Sequence, residues 1–121
     1  MPKVKYSPEA QYDLIGIQAY IEKDLQSPAA AKNVVRRILQ KNQSLGTAPK
    51  IGAQLSTFID IDTDYRLLAA GNYYSFYRYI ENDKTCYIDR ILYKRRDYLT
   101  ILFGNSNDNK GPENDESIDE L

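Results

Sequence analysis

Two Ser-Pro pairs, Ser7-Pro8 and Ser27-Pro28, stand near the start of the chain and restrict its fold more than any other feature. A serine hydroxyl accepts hydrogen bonds from first-turn amides, and proline, with a fixed φ and no N–H, suits the first helical position. The residue before a proline is pushed out of the α region, so the second pair also ends the first helix, close to Asp24. Glu9 places negative charge in the first turn, where the helix dipole favours it. Ala10, Leu14, Ile17, Ile21 and Leu25 recur near helical spacing and predict one apolar face. The second helix is expected to bury Ala31, Val34, Val35, Ile38 and Leu45, and to end at Gly46 in a left-handed cap. Lys32, Arg36, Arg37 and Lys41 fall on or near its outer face. Two capped helices joined by so few residues make a helical hairpin.

Further along, the hydrophobic period changes from that of a helix to that of a strand. Val4 and Tyr6 alternate with Lys3 and Lys5 before the hairpin, and predict a short half-buried strand. After the hairpin, Thr47 to Thr63 reads as a long connection, with Ile51, Leu55, Phe58 and Ile61 available to tuck it onto the core. From Asp64 onward the period is two, Tyr65, Leu67 and Ala69 alternating with Arg66, Leu68 and Ala70, up to Gly71-Asn72, a tight-turn pair. Tyr73 to Ile80 is a tyrosine-rich strand, with Tyr73, Ser75, Tyr77 and Tyr79 on one face and Tyr74, Phe76, Arg78 and Ile80 on the other. Glu81 to Lys84 is a turn, Thr85 to Tyr93 a third strand, and Arg95 to Phe103 a final turn or two of helix. The predicted class is α+β: strand, two-helix hairpin, three-stranded antiparallel meander, short C-terminal helix. With the hairpin on one sheet face, the other is expected to be free for a ligand. Arg66, Arg78 and Arg90 would serve there if they shared it. Alternation leaves that open, and also leaves open an ion pair to Asp89 or Asp97.

Composition excludes several chemistries. The chain of 121 residues contains no histidine and one cysteine, Cys86. Zinc sites and Ser-His or Cys-His nucleophile pairs are thereby removed, and Cys86 reads as a small buried hydrophobe. Asp60, Asp62 and Asp64 lack the glycine and closing glutamate of a calcium loop, so no metal or other cofactor is expected. No apolar run approaches membrane-span length and the N-terminus has no signal-peptide core, so the expected location is cytoplasmic, without a membrane partner. The net charge of −1 is unevenly divided. From Gly104 onward six acids oppose Lys110, a net −5, which leaves +4 on the body. Residues 1–103 are therefore expected to form one domain, and 104–121 an acidic, disordered tail. Such a tail is at most a weak, salt-screened counterion to the basic body.

The most basic stretch is Asp89-Arg90-Ile91-Leu92-Tyr93-Lys94-Arg95-Arg96-Asp97-Tyr98. Cations beside aromatic rings suit a phosphate backbone or an acidic protein surface. Together with Tyr6-Ser7-Pro8-Glu9-Ala10, Tyr65-Arg66-Leu67-Leu68 and Gly71-Asn72-Tyr73-Tyr74-Ser75-Phe76-Tyr77-Arg78, it resembles the RelE/ParE superfamily of toxins from bacterial type II toxin–antitoxin systems. The resemblance covers about residues 3–103. It implies a small growth-arresting toxin silenced by a cognate antitoxin whose C-terminal segment wraps its surface.

The superfamily divides by mechanism. Its RelE branch cuts mRNA on the ribosome, driving a 2′-hydroxyl onto the adjacent phosphate, which needs cations and a proton acceptor or donor. For that chemistry the resemblance offers Arg95, Arg78, Arg66, Tyr98 and Tyr74. Tyr74 stands where that branch places an arginine, and Ile101 or Leu102 where it carries a tyrosine. The ParE branch acts on DNA gyrase without a recognised catalytic constellation, and Tyr93-Lys94-Arg95-Arg96-Asp97-Tyr98 is closer to its pattern. The target-contacting residues implied are Tyr93, Lys94, Arg95, Arg96, Tyr98 and Arg90. A ParE-like gyrase poison without intrinsic catalysis is thus the expectation. A ribosome-dependent endoribonuclease and a non-toxic interaction domain are its alternatives.

Overall fold

Both Ser-Pro starts cap helices. The Ser7 hydroxyl accepts from the Ala10 amide at 2.9 Å, and the Ser27 hydroxyl from the Ala30 amide at 3.2 Å. The computed structural model describes residues 1–104. In chain order these form β1 (Lys3–Tyr6), α1 (Pro8–Asp24), α2 (Pro28–Gln43), β2 (Ala53–Gln54), β3 (Arg66–Ala70), β4 (Tyr73–Ile80), β5 (Thr85–Tyr93) and α3 (Tyr98–Phe103). The acidic tail expected to be disordered lies outside the described residues, apart from Gly104.

The first helix ends at Asp24, and α1 and α2 pack as an antiparallel hairpin against the sheet. Leu25 departs from the expected apolar face: it caps α1 and is 60% exposed. The second helix ends earlier than Gly46. Ser44-Leu45-Gly46 tightens into a single 3-10 turn, with the Ser44 hydroxyl donating to the Lys41 carbonyl, and Gly46 is not left-handed. Tightening the turn drives Leu45 fully into the core.

The meander of β3, β4 and β5 forms as the alternation requires, and both of its edges are extended. The sheet order is β1-β5-β4-β3-β2, with β1 parallel to β5 and the other pairs antiparallel. Gly71 at φ +61° closes the β3–β4 hairpin, a conformation that costs glycine nothing sterically. The long connection is less plain than expected. Ala53 and Gln54 pair with Leu67 and Arg66, and a 3-10 turn at Leu55–Thr57 follows. Of the four apolar residues expected to anchor it only Leu55 is buried, whereas Ile51, Phe58 and Ile61 are exposed.

Alternation along β4 divides the interior into two cores. Tyr73, Tyr77 and Tyr79 face the helices with Ala10, Ile38, Leu45, Leu68, Ile88 and Ile91. Within this core the buried Asn42 amide donates to Ser75 at 2.9 Å, joining α2 to β4. The Tyr77 hydroxyl donates to the Pro49 carbonyl at 2.8 Å and accepts from the Gly52 amide at 2.9 Å, fixing the connection over the sheet. The opposite face is not an open ligand platform. Leu67, Phe76, Leu92 and Leu55 form a second core there, closed by Tyr98, Ile101, Leu102 and Phe103 of α3. Six residues of helix suffice because their apolar side chains face a strip of Tyr74, Phe76 and Leu92 that needs cover.

Candidate functional site

The basic stretch begins at an irregularity in the sheet. Phe76 pairs with Arg90 but Tyr77 pairs with Ile88, so Asp89 is the extra residue of a β-bulge. A bulge re-aims the side chains around it. The Asp89 carboxylate accepts from the Tyr65 hydroxyl at 2.7 Å and pairs with Arg78 at 3.2 Å. The Arg78 guanidinium also lies 5.4 Å from the centre of the Tyr65 ring. Burial, then the hydrogen bond to Asp89 and its charge, push the Tyr65 phenol up to about 12. Such a phenol stays protonated at neutral pH and serves as a hydrogen-bond donor, not a base.

Arg90 is held on the other side of the bulge. Its Nε and Nη2 donate to Asp13 of α1 at 2.8 and 2.9 Å, and the same carboxylate accepts from the Ile91 amide at 2.8 Å. The hydrogen bonds to Asp13 raise the Arg90 pKa further above its ordinary value. The pair ties α1 to β5 beyond the end of β1. It is structural in geometry, since every carboxylate contact goes to the fold itself.

Arg66 is spent differently. It lies opposite Tyr77 in the β3–β4 register, on the helix face, and donates to the carbonyls of Lys50 and Gly52 at 3.1 and 2.8 Å. Arg66 and Arg78 thus occupy opposite faces of the sheet. The three strand arginines do not converge: two are in ion pairs and the third braces a loop. Of the expected ion pairs, the one between Arg78 and Asp89 forms. Asp97 instead caps α3, accepting from the Thr100 amide and hydroxyl.

The tyrosines offered for nucleolytic chemistry sit in the second core. Tyr98 tilts over Phe76 at 5.1 Å and meets Tyr74 edge-on at 6.3 Å, and Tyr74 meets Phe76 at 5.8 Å. Arg95 does not join them in an enclosed cleft. It is exposed in the turn between β5 and α3, closed by the Arg96 amide on the Tyr93 carbonyl at 2.9 Å. Among the described residues, neither Lys94 nor Arg95 has an ion-pair partner. Lys94 lies 5.3 Å from the centre of the Tyr74 ring while its ammonium stays in water. Tyr93, Lys94 and Arg95 therefore present an aromatic ring and two exposed cations, with Arg96 half-buried beside them.

Sequence reasoning missed the surface that Arg96 adjoins. Between α1, the start of α2 and the end of β5 runs a groove of about 480 Å³. Tyr12, Gly16, Tyr20, Tyr73, Tyr93 and Arg96 are among the residues that line it. The signal was present: Tyr12, Gly16 and Tyr20 recur every four residues and share one helix face. Elsewhere, Cys86 is fully buried and burial raises its thiol pKa, as a small hydrophobe requires. Among the described residues there is no cluster of three metal-ligating side chains, and no helix is long and apolar enough to cross a membrane.

No match is found among curated proteins. Among solved structures, the chromosomal ParDE toxin–antitoxin system from P. aeruginosa superimposes with a TM-score of 0.64 at 22% identity, covering 77% of this chain and 96% of that one. The isolated E. coli RelE toxin superimposes with a TM-score of 0.51 at 10% identity, covering 84% of this chain and 93% of that one. Both share the fold. The family described as ParE toxin of type II toxin–antitoxin system, parDE, matches residues 4–98, from β1 through the basic turn to the first residue of α3. With that span, the chain belongs to the ParE toxin family.

Proposed function

We propose that this chain is the growth-arresting member of a toxin–antitoxin pair, held silent by a cognate antitoxin and acting, when released, on DNA gyrase by binding. The observation that carries the reading is the unequal use of cations. Arg66, Arg78 and Arg90 are engaged by carbonyls and carboxylates of the fold, while Lys94 and Arg95, exposed at the exit of β5, have no ion-pair partner among the described residues. A surface of this kind recognises acidic protein or phosphate by complementarity. Phosphoryl cleavage would call for cations and a proton acceptor converging on one point, and Arg95, Arg78 and Arg66 lie at three separate places. The contact surface is Tyr93, Lys94 and Arg95, with Arg96 at its edge; Tyr98 and Arg90 support it from within.

The test is a supercoiling assay with purified chain, gyrase and relaxed plasmid. Loss of supercoiling, restored when Arg95→Glu replaces the native chain, is the expected result. Undisturbed supercoiling at excess toxin, with codon-positioned mRNA cleavage on translating ribosomes, would replace this reading by the nuclease one.

A further inference from the structure

The charge of the body is concentrated in one helix. Residues 1–103 hold fifteen basic and eleven acidic side chains. Four of the basic ones, Lys32, Arg36, Arg37 and Lys41, lie in α2, which has no acid. The remaining eleven basic residues are therefore matched in number by the eleven acids, and α2 carries the whole excess. All four of its cations are exposed, and among the described residues none has an ion-pair partner. Arg36 donates to Asn33 Oδ1 at 2.9 Å, a neutral acceptor that leaves the charge in place. Lys32 with Arg36, and Arg37 with Lys41, are like charges four residues apart, a spacing at which they repel within a helix. Among the described residues nothing offsets that repulsion, whereas an anion outside the chain would.

The four cations occupy both flanks of the exposed side of α2. Lys32 and Arg36 border α1, where they share a shallow depression of about 430 Å³ with Gln18, Gln40 and Gln43, and no carboxylate lines it. Arg37 and Lys41 follow the other flank, and the Arg37 guanidinium lies 3.8 Å from where a Cβ on Gly71 would sit. The same β3–β4 turn carries Asn72, whose carbonyl accepts from the Lys94 amide at 2.9 Å. Cations and side-chain amides without carboxylates are the donors that phosphate oxygens take. Lys32 and Lys41 are about 14 Å apart along the helix axis, and a DNA duplex presents one negative charge per about 1.7 Å of its own axis. Other anionic partners fit less well. Single strands are held by stacking on aromatic rings, and α2 has none. A membrane surface would take an apolar helix face, and the apolar face of α2 is buried in the core. Protein partners are anchored by large apolar or aromatic side chains, and Leu39, 40% exposed, is the one large hydrophobic that α2 exposes.

We propose that the exposed face of α2 binds the phosphate backbone of duplex DNA through Lys32, Arg36, Arg37 and Lys41, without reading base sequence. The inference does not rest on the gyrase reading: it concerns DNA without gyrase, and undisturbed supercoiling would leave it standing.

Fluorescence anisotropy tests it, with the full chain titrated into two labelled duplexes of about 20 base pairs and unrelated sequence, at salt from about 50 to about 200 mM. Four phosphate contacts predict equal affinity for the two sequences and a weakening of about 150-fold across that range. Arg36→Gln with Arg37→Gln removes two contacts, and should reduce the weakening to about 12-fold while lowering affinity at the lowest salt. Both side chains are exposed, so the variant keeps its fold, which its unfolding curve checks. Absence of binding at the lowest salt would overturn the proposal, as would one salt dependence shared by the native chain and the variant. So would loss of binding in Lys94→Gln with Arg95→Gln while the α2 variant binds as before, because the turn after β5 would then be the DNA contact. Polyglutamate bound more tightly than duplex, and released in the α2 variant, would overturn it in favour of an acidic protein.

Discussion

Five basic residues of the β-sheet and its exit turn divide into two populations. Arg66, Arg78 and Arg90 are built into the sheet and each finds acceptors in the fold, whereas Lys94 and Arg95 follow the last strand and find none among the described residues. Local sequence does not separate them: Arg66 and Arg78 in the strands and Lys94 in the turn all adjoin a tyrosine, while Arg90 and Arg95 adjoin none. What separates them is position relative to secondary structure. A cation within a strand, flanked by packed neighbours, must meet a carboxylate or carbonyl or lose its hydration uncompensated. A cation in a turn keeps its water and its availability. Function on this fold is therefore sought in the turn, and the strand arginines are judged by what their removal does to stability.

The largest effect expected from breaking that distinction is at Asp13. Asp13→Ala leaves Arg90 without its bidentate partner and the Ile91 amide without an acceptor, and should cost about 3 kcal/mol. Urea denaturation would measure it. A loss below about 1 kcal/mol would mean that Arg90 is as free as Lys94, and would dissolve the distinction. Next is Gly52, where the loop braced by Arg66 passes over Tyr77. A Cβ there would lie 2.7 Å from the Tyr77 ring and 2.9 Å from the Leu67 carbonyl. Gly52→Ala should therefore destabilise by about 2 kcal/mol through overpacking. A neutral result in the same denaturation would show that the brace yields, and that Arg66 is not needed to hold it.

A third test uses pH. The Tyr65 phenol, raised from 10.0 to about 12 by burial and then by Asp89, binds its proton more tightly folded than unfolded. Its contribution is complete below pH 10 and is lost as pH rises from there towards 12. Stability should fall across that window, and Tyr65→Phe should flatten the fall while lowering stability at neutral pH by about 1 kcal/mol. An unchanged alkaline slope in the variant would place Tyr65 outside the Arg78–Asp89 cluster.

Much of this arrangement is legible in the sequence. Local rules suffice for a serine–proline helix start, for the Gly71-Asn72 hairpin and for the division of β4 into two faces, because each depends on neighbours in sequence. The fates of the arginines depend on residues far away. Arg90 meets Asp13 and Arg78 meets Asp89 only after β5 has bulged and α1 has docked. The bulge leaves only a faint marker in the sequence, a slip at Asp89-Arg90 that puts Arg90 on the parity of Cys86 and Ile88 and moves the next helix-side residue to Ile91. Burial of the second sheet face was hidden for a similar reason. Tyr98, Ile101, Leu102 and Phe103 read as a short final helix, and nothing local says which surface such a helix covers. The Tyr12-Gly16-Tyr20 stripe was visible but competed with the adjacent Ile17 and Ile21, which pointed to an ordinary buried face.

The smallest expected effect on stability is the most informative about function. Arg95 is exposed, in a turn, and makes no ion pair among the described residues. Arg95→Glu should therefore leave the unfolding free energy within about 0.5 kcal/mol of the native chain. If the turn is the contact surface, the same charge reversal places like charges against an acidic or phosphate-bearing target, where repulsion costs several kcal/mol. Growth arrest on induction should then disappear although the protein accumulates to its normal level. Arg78→Gln is the matched control: it removes a cation of equal charge from the second face and should lower stability by about 1 kcal/mol. A chain that stays folded without that charge should still arrest growth. If Arg95→Glu arrests growth as well as the native chain while Arg78→Gln, still folded, does not, the two populations have been assigned the wrong way round, because the cation the fold engages would be the one the target requires.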